Sequence, residues 1–544
     1  MNNNSVLLLL FMLVVATASD ATNTDRIIDR IVDRSIDHIV DHIVDHNIAH
    51  KTEALTIPAI HQAMRDGKLT SSQLTQHYLQ RIVALNPKLN AVITINPKAQ
   101  RDAKRADAQA TQLKQQNQPW PLLLGVPVLV KDNIDTADGM ANTGGSVLLK
   151  KHTPKHDAFV IQQLRQAGAV ILGKANLSEW ANFRSTRSNS GWSAMGGQTR
   201  NPFDITRSPC GSSSGSGVAV SANLTQVAIG TETDGSITCP SSMNGVVGIK
   251  PTIGAVSRAG IIPISSQFDT AGPMARSVTD AVFLLQAMLG RDERDTHSVQ
   301  MPFDDLTQYL NSKGLQGKRI GIVSNYASPH PKVNTLFRQA VDAMRNAGAV
   351  IIDNVVIKTK GEWRTAQLNA LLWDFKDEIA DYLKTTDMPF NTLAELIALN
   401  NKHAAEELTT FGQEIFIMAE ATQGKQTQHY RQERQTLLDL ARKKGIDAAL
   451  KQHNLDILIA PTTQPAWKID RVNGDYFSGS ASSPAAIAGY PHISVPMGFV
   501  LHLPVGISFF STANSEPILI EAAYHFEQIT QARRAPSLRA NGTP

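Results

Sequence analysis

The chain has 544 residues, of which 42% are hydrophobic and 18% are charged, and its formal net charge at pH 7 is +4. This composition is typical of a soluble globular protein, and the length allows either one large α/β domain or two to four smaller ones. The small net charge, without a long run of Lys or Arg, argues against nucleic acid as a partner.

The first residues predict export. Val6–Val15 is an unbroken apolar run of ten residues, and Ala16-Thr17-Ala18 follows it with the small-x-small pattern of a signal-peptide cleavage site. Such a run is too short to serve as a stable membrane anchor. We therefore predict a signal peptide over residues 1–18 and a periplasmic or secreted protein; the alternative is a buried apolar N-terminal segment.

Residues 19–55 predict a low-complexity leader. A four-residue repeat rich in Asp, Arg and His extends over residues 25–48, and the histidines recur at four-residue steps: His38, His42, His46 and His50. One helix face bearing these side chains could chelate a metal. Because no further ligands accompany them, we interpret the segment as a solvated spacer between signal peptide and enzyme.

Residues 56–535 predict one catalytic domain, followed by a tail at 536–544. Helical periodicity covers Ile57–Arg65, Ser71–Leu85, Ala99–Gln115, Val160–Ala167, Val333–Ala347 and Ile518–Ile529. Short β-rich apolar runs cover Leu122–Val130, Ala169–Leu172, Ala349–Ile352, Leu455–Ala460, Ile493–Pro496 and Val505–Phe510. Helices alternating with continuous apolar strands indicate an α/β fold whose central mixed sheet is covered by helices on both faces.

One unusual stretch indicates chemistry. Ser208–Gly217 is rich in Gly and Ser, yet apolar sequence follows at once, and a second small-residue segment, Gly230–Ser236, comes after another strand-like run. A flexible linker would not return to apolar sequence twice. Closely packed Gly and Ser leave backbone N–H groups facing a common space, and acyl transfer needs such donors to stabilise a tetrahedral oxyanion.

Several motifs in the same order resemble the amidase signature family. Ser212 and Ser236 lie 24 positions apart, in a Gly-Ser run and in an Asp-Gly-Ser-Ile segment respectively. Upstream, Gly125–Asn133 is similar to the family's segment around its lysine, and downstream Gly245–Thr252 is similar to its glycine and proline block. The resemblance covers residues 56–535 and implies the amidase signature fold.

The resemblance also implies roles for individual residues. Ser236 corresponds to the nucleophile that becomes the acyl-enzyme, Ser212 to a serine at a cis peptide bond that relays a proton, and Lys131 to the general base. The backbone N–H groups of Thr233, Asp234, Gly235 and Ser236 correspond to the oxyanion hole. No metal or organic cofactor is implied. A lysine can act as a base only when neutral, so we expect burial to lower the pKa of Lys131.

The chain departs from the commonest family pattern at four positions. Cys210, Ser214 and Asp234 replace glycines, and Thr238 replaces an arginine found in some members. We expect the carboxylate of Asp234 either to point away from the oxyanion hole or to bind an amine or amide N–H of the substrate. The two cysteines, Cys210 and Cys239, could form a disulfide in an exported protein, but we favour free thiols.

Two other classes of protein compete with this interpretation. Gly211–Gly215 also fits the Gly-x-Ser-x-Gly elbow of α/β-hydrolases, with Ser213 as nucleophile and a late histidine, His492 or His525, as its base. That motif needs a strand directly before it, which Asn201–Cys210 does not predict. A non-enzymatic binding protein on the same fold would be expected to have lost one of the three catalytic side chains, and all three are present.

Four segments are most similar to the bacterial peptide amidases of this family: Asn176–Phe183, Gly191–Ala194, Gly196–Pro202 and Ser208–Ser216. The similarity implies release of ammonia from C-terminal peptide amides. Aryl, aliphatic or fatty acid amides are the alternatives, and a glutaminase component of an amidotransferase is a more distant one. We expect Ser213 and Trp192 to contact the substrate. Trp180, Phe183 and Arg184 could line the same cleft, although Trp180 and Phe183 could equally be core contacts of one helix.

Overall fold

An 11-stranded mixed sheet forms the centre of the protein, in the order β1-β3-β2-β6-β8-β7-β12-β13-β11-β9-β10. Its strands are β1 (Val92–Ile95), β2 (Pro127–Lys131), β3 (Val170–Ala175), β6 (Val227–Glu232), β7 (Val247–Lys250), β8 (Thr270–Ala275), β9 (Arg319–Val323), β10 (Val350–Val355), β11 (Ile457–Pro461), β12 (His492–Val500) and β13 (Leu503–Phe510). A separate two-stranded sheet pairs β4 (Trp192–Ser193) with β5 (Gly197–Gln198).

This computed structural model describes Glu53 and residues 55–538. The predicted signal peptide, nearly all of the leader with its histidines, and most of the tail therefore lie outside the described residues. The described residues from Leu55 onward belong to one structural unit, in agreement with the single large domain expected for this part of the chain.

Parallel pairing occurs at two places in the large sheet. Strands β3, β2 and β6 are parallel neighbours, as are β11, β9 and β10, and the remaining neighbours are antiparallel. In the first group Val130 pairs with Ile229, so the carboxyl ends of β2 and β6 lie side by side. These ends carry Lys131 and Thr231, whose side chains are therefore in contact.

Alternate residues of the central strands pack into different cores, which is why both faces of the sheet are covered. In β2, Val128 and Val130 join one hydrophobic cluster while Leu129 joins another. In β11, Ile457 and Ile459 join the first cluster, and Leu458 joins a third. A strand that is buried on both faces has apolar residues at consecutive positions, which explains the continuous apolar runs in the sequence.

Helices supply the covering layers. They are α1 (Ile57–Arg65), α2 (Ser71–Leu89), α3 (Ala99–Gln115), α4 (Phe159–Gln166), α5 (Ser214–Ser221), α6 (Thr238–Met243), α7 (Val278–Met288), α8 (Pro331–Asn346), α9 (Arg364–Leu383), α10 (Leu393–Lys402), α11 (Ala404–Glu407), α12 (Glu414–Glu420), α13 (Gln428–Ala441), α14 (Asp447–His453), α15 (Ser483–Ala488) and α16 (Glu516–Thr530). No helix in the described part of the chain is long and apolar enough to cross a membrane.

Helix α2 shows how the sequence sets these elements. Thr70 accepts a hydrogen bond from the N–H of Gln73, and the Gln73 side chain accepts one from the N–H of Thr70. This reciprocal capping box fixes the start of the helix. The helix extends to Leu89, four residues beyond its predicted end, and stops at Asn90 in the left-handed conformation.

Candidate active site

Lys131 is the last residue of β2, and its side chain is fully buried. Its Nζ lies 2.8 Å from Ser212 Oγ, 3.1 Å from Ser213 Oγ, 2.7 Å from Thr231 Oγ1 and 3.2 Å from the carbonyl oxygen of Thr231. Burial removes the hydration of an ammonium group and lowers the pKa of Lys131 to about 7, although the carboxylates of Asp269 and Glu232 oppose the change. A substantial fraction of this lysine is therefore neutral at physiological pH.

Ser212 lies in the loop between Cys210 and α5, and the Gly211–Ser212 peptide bond is cis. Its hydroxyl contacts Lys131, and its carbonyl oxygen accepts a hydrogen bond from the N–H of Ser178 at 3.0 Å. Helix α5 after it is entirely buried, and a Cβ on Gly215 would lie 2.3 Å from the carbonyl oxygen of Ala91. The Gly and Ser composition of this stretch is thus required by close packing.

Ser236 lies in the turn between β6 and α6. Gly235 before it has a φ of +85°, a left-handed conformation that favours glycine. The carbonyl oxygen of Ser236 accepts a hydrogen bond from the N–H of Ser213 at 3.1 Å, which joins the two serine segments. The Ser236 side chain is 8% exposed, borders a cavity and makes no hydrogen bond to another described residue, Ser212 included.

The same turn presents unpaired backbone donors. Within the described residues, the N–H groups of Thr233, Asp234, Gly235 and Ser236 donate to no protein acceptor. The next two N–H groups, of Ile237 and Thr238, donate to Glu232 Oε2 at 2.7 and 2.9 Å. Glu232 therefore anchors the far side of the turn, while the donors expected to form the oxyanion hole remain available.

The cavity over Ser236 has a volume of about 740 Å³. Its lining includes one group of residues near the serine segments and a second group from later in the chain. The first comprises Ala181–Phe183, Cys210, Gly211, Thr233–Ser236, Cys239 and Ile264; the second includes Tyr326, Lys360, Trp363, Arg364, Gln367, Gln464, Trp467, Asp475, Phe477 and Ser482. Aromatic surface and scattered polar groups make this a site for a small organic molecule or a short peptide.

Two expected substrate contacts do not reach this cavity. Ser213 is fully buried; its hydroxyl donates to the carbonyl oxygen of Thr231 at 3.0 Å and accepts from the N–H of the same residue at 3.1 Å. Trp192 packs against Phe411, with ring centroids 4.9 Å apart. Neither residue borders the cavity. Both residues were expected to contact the substrate because their neighbours in sequence lie in family-like segments. The local backbone instead directs each side chain into the core.

The three other residues considered for the substrate cleft, Trp180, Phe183 and Arg184, divide between core and cavity. Trp180 packs edge-on against Phe416, and Arg184 is fully buried beside Glu179 and Glu407. Only Phe183 borders the cavity, and it also belongs to a hydrophobic cluster. Core packing thus accounts for Trp180, as the alternative interpretation held, and Arg184 serves as a buried ion-pair partner.

Asp234 faces the cavity with a half-buried side chain. Gln367 Nε2 donates to its Oδ2 at 2.9 Å, and Ser482 Oγ donates to its Oδ1 at 2.6 Å. Both donors are neutral, and both also border the cavity. No basic side chain of the described region forms an ion pair with this carboxylate.

The cysteines form a disulfide, contrary to our expectation of free thiols. Cys210 and Cys239 are bonded, with Cα atoms 6.0 Å apart. Cys210 comes two residues before Ser212 and Cys239 three residues after Ser236, so the bond links the two serine segments covalently. The sequence showed that one cysteine lies on each side of the proposed site, but it did not show whether the two side chains are close enough to form a bond.

The histidines required by the elbow hypothesis lie elsewhere. His492 Nε2 is 2.6 Å from Ser508 Oγ, and His525 Nδ1 accepts a hydrogen bond from the N–H of Leu315. Within the described region the hydroxyl of Ser213 forms hydrogen bonds with Lys131 and with the backbone of Thr231, and with no histidine. The geometry therefore gives no support to a Ser-His pair centred on Ser213.

Sequence reasoning missed Thr231 and Asn133. Thr231 contacts Lys131 through both its hydroxyl and its carbonyl oxygen, and Asn133 Nδ2 donates to the Thr231 hydroxyl at 3.0 Å. Asn133 ends the family-like segment Gly125–Asn133, and Thr231 lies in the small-residue segment Gly230–Ser236. The sequence offered one signal for Thr231, because it directly follows Gly230 at the start of the second small-residue segment.

A buried lysine of lowered pKa, two serine segments joined at the backbone and a turn with free N–H groups define an amidohydrolase site. The amidase family model matches residues 73–520, and the chain belongs to the amidase signature family. Peptide amidase from Stenotrophomonas maltophilia is 49% identical, with a TM-score of 0.84 over 90% of this chain and 99% of that one.

Two curated relatives extend the comparison. A probable amidase of Arabidopsis thaliana is 42% identical over 496 residues, covering 89% of this chain and 92% of the relative. A glutamyl-tRNA(Gln) amidotransferase subunit of Acaryochloris marina is 32% identical over 502 residues, covering 88% of this chain and 99% of the relative. The protein is thus an amidohydrolase with the amidase signature fold.

Proposed function

We propose that this enzyme hydrolyses C-terminal peptide amides to the free peptide acid and ammonia, with Ser236 as nucleophile, Ser212 as proton relay and Lys131 as base. The observation that supports this most directly is the 2.8 Å contact between Lys131 Nζ and Ser212 Oγ in a fully buried setting. A neutral lysine there can accept a proton from a hydroxyl that has no other basic partner.

In the first half of the reaction Ser236 Oγ attacks the carboxamide carbon. Its proton passes to Ser212 Oγ as the Ser212 proton passes to Lys131 Nζ. The tetrahedral oxyanion accepts hydrogen bonds from the unpaired N–H groups of the turn at Thr233–Ser236. As the C–N bond breaks, Lys131 returns the proton through Ser212 to the leaving nitrogen, so ammonia departs and an ester to Ser236 remains.

In the second half a water molecule attacks that ester. The relay removes one proton from the water, the same N–H groups stabilise the second oxyanion, and the proton returns to Ser236 Oγ as the acid is released. Each proton taken up by Lys131 is given back within the same half-reaction. The side chains that transfer protons are therefore regenerated after every turnover.

Two observations favour peptide amides as the substrate class. The relative from Stenotrophomonas maltophilia is a peptide amidase, and the alignment covers nearly all of it. The cavity combines aromatic side chains with amide and hydroxyl groups, which suits a peptide better than a long alkyl chain. The amidotransferase component is the more distant relative of the two.

We also propose an exported enzyme. The apolar run at Val6–Val15 lies outside the described residues, but the Cys210–Cys239 disulfide is independent support, because disulfides persist mainly in oxidising compartments. A periplasmic or secreted location would bring the enzyme into contact with extracellular peptides.

The test is ammonia release from an N-acetyl dipeptide amide, with a long-chain fatty amide, an anilide and glutamine as counter-substrates. Ser236→Ala and Lys131→Ala are each expected to remove the activity, the lysine change by about 10²–10⁴-fold, as for loss of a general base. Ser212→Ala should act likewise. The matched control is Ser213→Ala, which we expect to retain activity. The Ser213 hydroxyl also contacts Lys131, at 3.1 Å rather than the 2.8 Å of Ser212, but it donates to the carbonyl oxygen of Thr231 instead of serving as the relay.

Loss of activity in Ser213→Ala with full activity in Ser236→Ala would overturn the assignment of the nucleophile. Wild-type activity on the fatty amide, the anilide or glutamine alone would leave the catalytic residues in place and overturn the peptide amide substrate.

A further inference from the structure

Four charged side chains border the cavity among the described residues, and one of them, Asp234, lies in the same turn as Ser236. Asp475 accepts hydrogen bonds from the N–H of Ser190 at 2.9 Å and from Trp467 Nε1 at 3.0 Å. Lys360 donates to a backbone carbonyl and lies over the ring of Tyr326, and Arg364 is exposed at the surface. Asp234 is the fourth.

Asp234 retains capacity to accept hydrogen bonds. An ionised carboxylate has about four acceptor positions, and Gln367 and Ser482 occupy two of them. A substrate that fills the cavity would displace water from the remaining positions. A carboxylate that loses water without gaining a donor destabilises the complex, so the bound substrate is expected to supply one.

The position of Asp234 indicates which substrate atom that donor is. Asp234 belongs to the same turn as Ser236, two residues earlier, and is fastened there by Ser482 at the start of α15 and by Gln367 on α9. In a peptide amide the nitrogen on the α-carbon is only two bonds from the carbon that Ser236 would attack. Because Asp234 is so close along the chain to Ser236, its carboxylate is suited to accept a hydrogen bond from that nitrogen.

We propose that Asp234 is a specificity residue that accepts an N–H from the nitrogen on the α-carbon of the substrate. The enzyme then prefers carboxamides of α-amino acids to plain aliphatic carboxamides of the same shape. This inference rests on the proposed function and adds a feature that the glycine usual at this position in the family cannot provide.

Tyr326 borders the same cavity as Asp234. Burial, with a smaller contribution from the charge of Asp234, raises the pKa of Tyr326. Tyr326 therefore stays neutral and cannot form a competing charge. The N–H could belong to a free α-ammonium group or to a peptide bond, and matched substrates separate these two sources.

The experiment compares such substrates by ammonia release. Leucinamide carries an ammonium group, and 4-methylpentanamide is the same molecule without it. N-acetyl-leucinamide carries a peptide N–H, and 2-acetoxy-4-methylpentanamide replaces that N–H with an ester oxygen. The ratio of kcat/KM within each pair measures the N–H contact and cancels any general change in the catalytic turn.

Asp234→Asn is expected to lower at least one of these ratios by about 10- to 100-fold, which corresponds to a hydrogen bond to a charged group. Asp234→Gly restores the residue usual in the family and should lower the same ratio, so the result does not depend on the asparagine variant alone. Asp475→Asn, a second cavity carboxylate, should leave both ratios unchanged.

A fall in the leucinamide ratio identifies the ammonium group as the donor, and a fall in the N-acetyl ratio identifies the peptide N–H. Equal loss on both members of each pair in the Asp234 variants would overturn the inference and leave the proposed function intact. Wild-type enzyme that releases ammonia from none of the four compounds, nor from a dipeptide amide, would overturn the proposed function itself.

Discussion

At the scale of single residues, Lys131 has the features of a base that works without histidine. Its side chain is surrounded by hydroxyl groups and one carbonyl oxygen, and the carboxylates that raise its pKa are outweighed by burial. Hydroxyl groups can either donate or accept, so they solvate the neutral amine without forcing it to hold a third proton. The lysine can therefore exchange a proton in either direction.

The pH dependence of activity follows from this residue. The base must be neutral, and its pKa of about 7 means that only about a tenth is neutral at pH 6. We expect kcat/KM for a dipeptide amide to fall about tenfold per pH unit on the acid side of this pKa and to level off above it.

The control for this prediction is Lys131→Arg, which should be inactive at every pH because a guanidinium group stays protonated. A wild-type profile that is flat between pH 5 and 8 would contradict the assignment of Lys131 as the base.

Motif spacing predicted which residues would come together at this scale, but not where every side chain would point. Lys131 and Ser212 meet as expected, and Ser236 borders the cavity. Ser213 is turned toward Thr231, and Trp192 toward Phe411. These directions depend on the turn into α5 and on the short β4–β5 pair, which are set by contacts distant in sequence.

At the scale of elements, the serine segments are held by connections of different kinds. A backbone hydrogen bond joins Ser213 to Ser236, Glu232 takes the first N–H groups beyond the turn, and the disulfide joins Cys210 to Cys239. The disulfide is the connection that substitution of two side chains removes directly. It therefore offers the cleanest test of how tightly the segments must be held.

Replacing both cysteines by serine is expected to lower the free energy of unfolding by about 3–4 kcal/mol, because the bond closes a loop with a sequence separation of 29. A lower Tm in thermal denaturation would register this, and kcat/KM should fall as well, since the two serine segments border the same site.

Each single replacement breaks the same bond, so Cys210→Ser and Cys239→Ser should both resemble the double variant. An unchanged Tm in all three variants would show that the bond contributes little to the stability of this region.

Element boundaries show where sequence patterns succeed and where they do not. Ala99–Gln115 and Ile57–Arg65 are helices over the predicted residues, because regular polar and apolar spacing decides a surface helix locally. Strand β8 gave no signal, since Gly272 and Pro273 interrupt it, yet it lies in the middle of the sheet between β6 and β7. Its strand conformation results from pairing with neighbours on both sides.

At the scale of the whole molecule, alternating helices and apolar strands correctly predicted a sheet covered on both faces. The order of the strands could not be predicted in this way. Strand β6 is followed in the sheet by β8 rather than β7, and β12 pairs with β7 although more than 240 residues separate them. Such pairings depend on the packing of the complete sheet.

The position of the first helix provides a test at this scale. Deleting residues 1–54 should leave Tm and kcat/KM unchanged, because the catalytic unit begins at Leu55. Deleting residues 1–65 should destabilise the protein by about 3–6 kcal/mol, since α1 buries Ile57 and Ile60. The N–H of Ile57 also donates to Asp280 Oδ1 at 2.7 Å.

Purified proteins of both lengths would be compared by thermal denaturation and by ammonia release. Inactivity of the shorter deletion in a protein of normal Tm would mean that residues 1–54 contribute to the site.

The residues that line the cavity come from different parts of the chain. The proposed catalytic residues and the unpaired backbone donors lie between Lys131 and Ser236, while much of the remaining lining comes from residues 326–371 and 461–483. Substitutions in those later segments can therefore change which molecules fit without disturbing the atoms that react. Over evolution, a gene of this kind can gain new substrates through its second half while inheriting its chemistry unchanged from the first.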